Sequence, residues 1–200
     1  MSVRCNILPE PQFAERKAVL AERLGRVAQA ITPTNFASLL DPLMEEVLEH
    51  GFKEAGAQEG TVWLLDETAE HLVPAYNTGP NAHKIVGQFR QPVTTGLICM
   101  VLASEQPFVE NEVHKNSQQS KLLDTALAVK THALIAVPFY FLKNCHGVVS
   151  CVQLKAVADN SSEPSSFGPT ALTAVQRATS ILTRLLEYRL LSRTVAWTTD

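Results

Sequence analysis

The sequence predicts an α+β fold, an α/β sandwich whose sheet is covered by helices on both faces. Three observations carry this. Apolar residues recur at helical spacing near both ends of the 200-residue chain, while the middle changes to short β-type runs. The strongest strand signal is a hairpin, HALIAVPFYF (132–141) followed by HGVVSCVQL (146–154). Its first run is apolar on both faces, with Ile135, Val137 and Phe139 on one side and Leu134, Ala136 and Tyr140 on the other. An antiparallel strand with one wet face would alternate with polar residues, so cover on both sides is expected.

The elements follow in order. Residues 1–9 read as an irregular leader ending in proline, and 10–31 as a helix with Leu20, Leu24, Val27 and Ile31 on one face. Thr32-Pro33 ends it, because proline removes a donor and biases the preceding residue away from helix. Thr34 or Asn35 caps a second helix reaching about Ala55, unless Pro42 moves the start to Asp41 or kinks the helix; Gly56 is its stop. Residues 61–65 and 71–76 read as strands joined by a turn at 66–68, and 88–93 as a third strand. GLICMVLASEQPFVENEV (96–113) reads as a short apolar helix, broken at Gln106-Pro107 and followed by a brief extended piece at Phe108-Val109. Residues 116–129 return to helix or loose loop. The hairpin turns at 142–144, with a bulge or a missing ladder bond at Pro138. Residues 158–169 form a polar Ser/Pro linker with too few apolar side chains to pack. The last helix, 170–192, carries two apolar rows: Leu172, Val175, Leu182 and Leu186, then Ala178, Ile181, Leu185 and Tyr188. The domain division is therefore 1–33 leader and amphipathic helix, 34–157 core, 158–169 linker and 170–200 C-terminal helix, packed on the sheet or on a dimer partner.

Composition excludes several classes. With 46% hydrophobic and 18% charged residues the chain is of ordinary globular type, long enough to bury a core without disulfides. Its net charge of −3 is spread along the chain, so no nucleic-acid partner is expected. No run approaches the ~18 apolar residues of a membrane span, and no signal peptide is visible. The four cysteines lack CxxC spacing, which predicts free thiols in a reducing cytoplasm. The six histidines are scattered without zinc spacing, so no metal site is predicted.

The order of elements, with EGTVWLLDE (59–67), GLICMVLASEQPFVENEV (96–113) and LIAVPFYFLKNCHGVVSCVQLK (134–155), resembles the GAF domain family of small-molecule sensor modules. The resemblance covers about residues 34–156 and the flanking helices. It implies an antiparallel sheet of five to six strands with the terminal helices on one face. A ligand cavity roofed by residues 81–131 would lie on the other. It also implies a regulatory role in signal transduction, in which a bound small molecule or dimerisation is coupled to an output domain. No kinase, cyclase or DNA-binding motif lies within these residues.

The residues bear on three sharper roles. One branch of the family reduces free methionine sulfoxide with a cysteine in the position that Cys99 occupies, three after Gly96. Its partner cysteines are missing here, where the neighbourhoods read QFRQPV and KLLDTA. The Asn-Lys…Phe…Asp-Glu pattern of cyclic-nucleotide binders is not met, and Cys145-His146 falls in a hairpin turn rather than beside a bilin pocket. No catalytic residue is assigned, and the sequence names no cofactor. The ligand-binding candidates are Trp63, Tyr76, Cys99, Met100, Asn111 and Phe139, because such cavities mix apolar walls with a few polar groups. Asn111 ranks above Cys99. The wide apolar face of the last helix predicts a homodimer through the terminal helices. The alternatives are a ligand-free dimerisation module and the Cys99 reductase.

Overall fold

The computed structural model describes residues 16–142, 144–156 and 164–195. The expected leader, the start of the first helix, Cys5, the Cys145 side chain and residues 158–163 of the linker lie outside this description. Six strands form one antiparallel sheet: β1 (Glu59–Leu65), β2 (His71–Asn77), β3 (Gln91–Pro92), β4 (Phe108–Glu110), β5 (Val129–Phe141) and β6 (Asn144–Ala156). Their order across the sheet is β3-β2-β1-β6-β5-β4, so the first and last full strands meet at its centre. The helices are α1 (Lys17–Gln29), α2 (Pro42–Glu54), α3 (Ala82–Ile85), α4 (Leu97–Ser104), α5 (Leu122–Leu127) and α6 (Ala171–Thr194).

Local chemistry sets the boundaries. α2 begins at Pro42 because Asp41 caps it, accepting from the Met44 N–H at 3.0 Å, and proline at the first helical position forfeits no needed donor. Residues 36–39 form a separate 3₁₀ turn instead of the helix start. Gly56 follows α2 with φ of +75°, the left-handed conformation of a helix stop. α4 ends at Glu105 and α5 at Ala128, both left-handed at φ of 54° and 53°; Pro107 thus follows a helix already stopped. Of the expected third strand only residues 91–92 pair. Of residues 116–129, only six are α-helical. The ladder register shifts between Phe139 and Tyr140, just beyond Pro138. The linker expectation is corrected at Phe167, which packs at 6% exposure in the core.

Two apolar layers result. On one face, Phe36, Leu48, Phe52, Leu182 and Leu186 pack on Val62, Leu64, Ile135, Phe139 and Val149. On the other, Leu97, Val101 and Val113 pack on Trp63, Leu134, Ala136 and Val148. The alternation of strand side chains explains the division, since neighbours in sequence point to opposite faces. Arg189 of α6 donates to Asp41 at 2.7 Å, joining the last helix to the cap of α2.

Candidate ligand cavity

The second face does not close completely. A cavity of about 80 Å³ lies between the sheet and the segment carrying α4 and α5. Its floor is built by alternation: Glu59, Thr61 and Trp63 of β1 and Ser150, Val152 and Leu154 of β6 all line it. Asn77 joins them because β2 pairs it directly with Thr61. β5 contributes Val129, Thr131 and Leu134, which simple alternation would place on opposite faces. The register shift between Thr131 and Ala133 inserts one residue and brings both parities to the same side. The roof is Gln91, Gly96–Ile98, Gln119, Ser120 and the α5 residues Leu123, Asp124 and Leu127.

Polar groups concentrate here. Seven polar residues are buried among the described residues, and four of them, Thr61, Gln91, Thr131 and Ser150, line this cavity. Each is oriented by a partner. Thr61 Oγ1 accepts from Asn77 Nδ2 at 2.8 Å, and Ser150 Oγ accepts the Trp63 indole N–H at 2.9 Å. Gln91 Nε2 donates to the Thr95 carbonyl at 2.9 Å. Asp124 accepts from the Thr131 N–H at 3.0 Å and its hydroxyl at 2.7 Å, which ties α5 to the start of β5. The Glu59 carboxylate sits against Gly79, where a Cβ would come within 1.6 Å of Oε2. Burial raises its pKa above the usual carboxylate value, against the opposing effect of a hydrogen bond from Asn77.

As it stands the cavity is about half the size of a ~150 Å³ apolar cavity that binds benzene, so it holds a group of three or four non-hydrogen atoms. A larger ligand requires the roof to lift. α5 is the part of the roof suited to lifting, since it has no buried residue, although Leu123 packs on the core and Asp124 holds Thr131.

The six sequence candidates separate. Trp63 lines the cavity, with its ring edge-to-face with Phe89 at 6.2 Å. Cys99 and Met100 line a neighbouring open groove between α4 and residues 117–122. The Cys99 thiol donates to the Pro92 carbonyl at 3.3 Å, and burial pushes its pKa up to about 11. Tyr76 pairs with Val62, packs with the helix-side core and donates to Glu49 at 3.5 Å. Phe139 is fully buried in that same core. Asn111 clamps the backbone of Phe167, donating to its carbonyl at 3.2 Å and accepting its N–H at 2.8 Å. Sequence reasoning passed over Glu59, Thr61 and Ser150. Their signal was a polar residue at the parity of Trp63 inside strands covered on both faces. Among the described residues no group of His, Cys, Asp and Glu is placed to hold a metal ion, and no helix is long and apolar enough to cross a membrane.

The GAF domain sequence profile matches residues 39–184. Solved structures of similar fold include the GAF domain of a phosphoenolpyruvate-protein phosphotransferase from Coxiella burnetii, with a TM-score of 0.57 at 14% identity, covering 90% of this chain and 96% of that one. The corresponding Acinetobacter domain has a TM-score of 0.55 at 14% identity, with coverages of 89% and 97%. The free methionine-R-sulfoxide reductase of Neisseria meningitidis, solved with its substrate, has a TM-score of 0.52 at 20% identity, with coverages of 94% and 95%. At these identities the likeness is one of fold. No curated protein matches the chain significantly.

Proposed function

This chain belongs to the GAF domain family, and on that premise we propose that it is a regulatory module that binds a small molecule in the cavity beneath α4 and α5. The supporting observation is the concentration of oriented, buried polar groups in a cavity wall that mixes polar and apolar side chains. A ligand that binds better beneath a lifted or a closed α5 shifts the balance between the two, by no more than its difference in affinity. The role is regulatory rather than catalytic on the chemistry of Cys99. The residue is 3% exposed and burial raises its thiol pKa to about 11, further from a thiolate at neutral pH, which suits a core residue better than a nucleophile.

A thermal-shift screen of nucleotides, amino acids and keto acids tests the binding role. A ligand at 100 times its Kd adds about 2.7 kcal/mol to stability, which raises Tm by several degrees in a chain of this size. Ile98→Trp, which fills the cavity, removes that shift. A screen in which no compound raises Tm, or in which the shift survives Ile98→Trp, rejects the cavity as the site. Methionine sulfoxide belongs in the panel, since turnover lost in Cys99→Ser would replace binding with catalysis.

A specific feature favours dimerisation as a second role. Ile181 and Tyr188 are exposed on α6 seven residues apart, with Leu191 exposed beyond them and Val195, seven after Tyr188, exposed just past the helix end. That is an apolar stripe on the helix face turned away from the core. Tyr188 is 61% exposed, a large aromatic surface for a side chain without a partner. A stable interface needs about 800 Å² from each copy, which requires α1 or α2 beside the stripe. Light scattering is expected to give twice the chain mass at tens of micromolar and the single mass for Ile181→Glu/Tyr188→Glu. A monomeric unaltered chain defeats this role.

A further inference from the structure

The sign of the charge around the cavity narrows what it can hold. Among the described residues two ionisable side chains, Glu59 and Asp124, line it, and both are acidic; no described lysine, arginine or histidine does. Asp124 already spends both oxygens on Thr131. Glu59 keeps its charge available. Its one described partner is the neutral Asn77 amide, and none of the ion pairs among the described residues includes it.

We infer that the cavity selects a small organic cation, an ammonium group or a close analogue, with Glu59 as its counter-charge and Trp63 as the adjoining aromatic wall. The inference rests on the cavity being the ligand site. Desolvating a carboxylate without a cation is costly, and an ammonium within hydrogen-bond reach offsets that cost while making a charge-assisted bond. The Trp63 ring lines the same space, and a tryptophan face attracts a cation. The indole N–H is committed to Ser150, so the ring is held in place before anything binds. An anion would meet the Glu59 carboxylate with no positive group among the described lining residues to offset it. His114, Lys121 and Lys130 line the open groove outside, which shares Gln119, Asp124, Val129 and Thr131 with the cavity. Their charges face water and are screened, whereas the half-buried Glu59 carboxylate is screened less. Burial raises the Glu59 pKa, the direction expected of a carboxylate whose counter-ion comes from outside the chain.

Three probes of four or five non-hydrogen atoms differ mainly in charge: propylammonium, 1-propanol and propionate. Each is titrated into the full chain at pH 7.5 and constant ionic strength, following the Trp63 indole N–H by NMR, with Trp63→Phe assigning that signal against Trp197. Propylammonium is expected to shift it saturably, at least tenfold more tightly than propanol, and propionate is expected to give no saturable shift. Glu59→Gln, which keeps the shape and the Asn77 contact, is expected to weaken propylammonium at least tenfold while raising the Tm of the free protein. Propanol binding as well as propylammonium, or propionate binding best, overturns the charge selection and leaves the cavity as the ligand site. Failure of all three to move the indole signal overturns both. Should Glu59→Gln not fold, the order of the three probes on the unaltered chain decides alone.

Discussion

Phe139→Ala lowers stability by about 3–5 kcal/mol and leaves the cavity untouched. Phe139 has no exposed surface, meets the Phe36 ring edge-on at 6.1 Å and lies 5.6 Å from the Phe141 ring. Truncation therefore removes a full aromatic burial and two ring–ring contacts, and leaves a void between sheet and helices that neighbouring rings cannot fill. The side chain lies on the helix-side face of β5, with the sheet between it and the cavity. Urea unfolding measures the first consequence as a lowered midpoint at unchanged slope. The Trp63 indole signal measures the second by keeping its position and its response to ligand. A loss below about 1.5 kcal/mol, or weakened ligand binding at native stability, would contradict this placement.

Gly147→Ala has an effect of similar size by a different route. Gly147 lies in β6 opposite Leu64, where a Cβ would stand 1.8 Å from the Trp63 carbonyl oxygen and 3.0 Å from the Leu64 Cα. Both obstacles are backbone, so no rotamer change relieves them, and β1 must move away from β6 at the centre of the sheet. Overpacking costs about 1–3 kcal/mol, and with backbone on both sides of the clash the upper end is expected. Because the displaced strand carries Trp63, the substitution reaches the cavity as well as the ladder. It is expected to lower the unfolding midpoint and to move the Trp63 indole signal, where Phe139→Ala does only the first. An alanine variant of native stability would refute the close approach of the two strands.

The two substitutions mark how far the candidate site was legible. Alternation along HALIAVPFYF groups Ile135, Val137 and Phe139 on one face and Leu134 and Ala136 on the other, and the structure keeps that grouping. Alternation alone carries no information about which face meets the long helices and which the cavity. The chemistry of Phe139 and Tyr76 suits a pocket wall, and pairing places both on the helix side. Asn111 was chosen as a polar group in the roof; its amide reaches instead to Phe167, 56 residues later. Trp63 was recognisable because a tryptophan in a short strand covered on both sides must line one layer or the other. Glu59 is not legible in the sequence, because an acidic residue at the start of a strand reads as solvated; only the fold sets Gly79 against its carboxylate and turns it to the cavity.

The sequence by itself determined the order of elements, the covered sheet and the helix stop at Gly56. These depend on spacing, capping and φ preferences acting within a few residues. The family followed from the same local landmarks in order. The tertiary structure alone decided which strand face lines the cavity. It did so through the meeting of β1 with β6, nearly ninety positions apart in the chain, and through the register shift between Thr131 and Ala133. It also decided that the cavity is acidic. Net charge reports a sum over the chain, whereas the sign of a cavity depends on the few side chains that pairing turns inward, here Glu59 and Asp124.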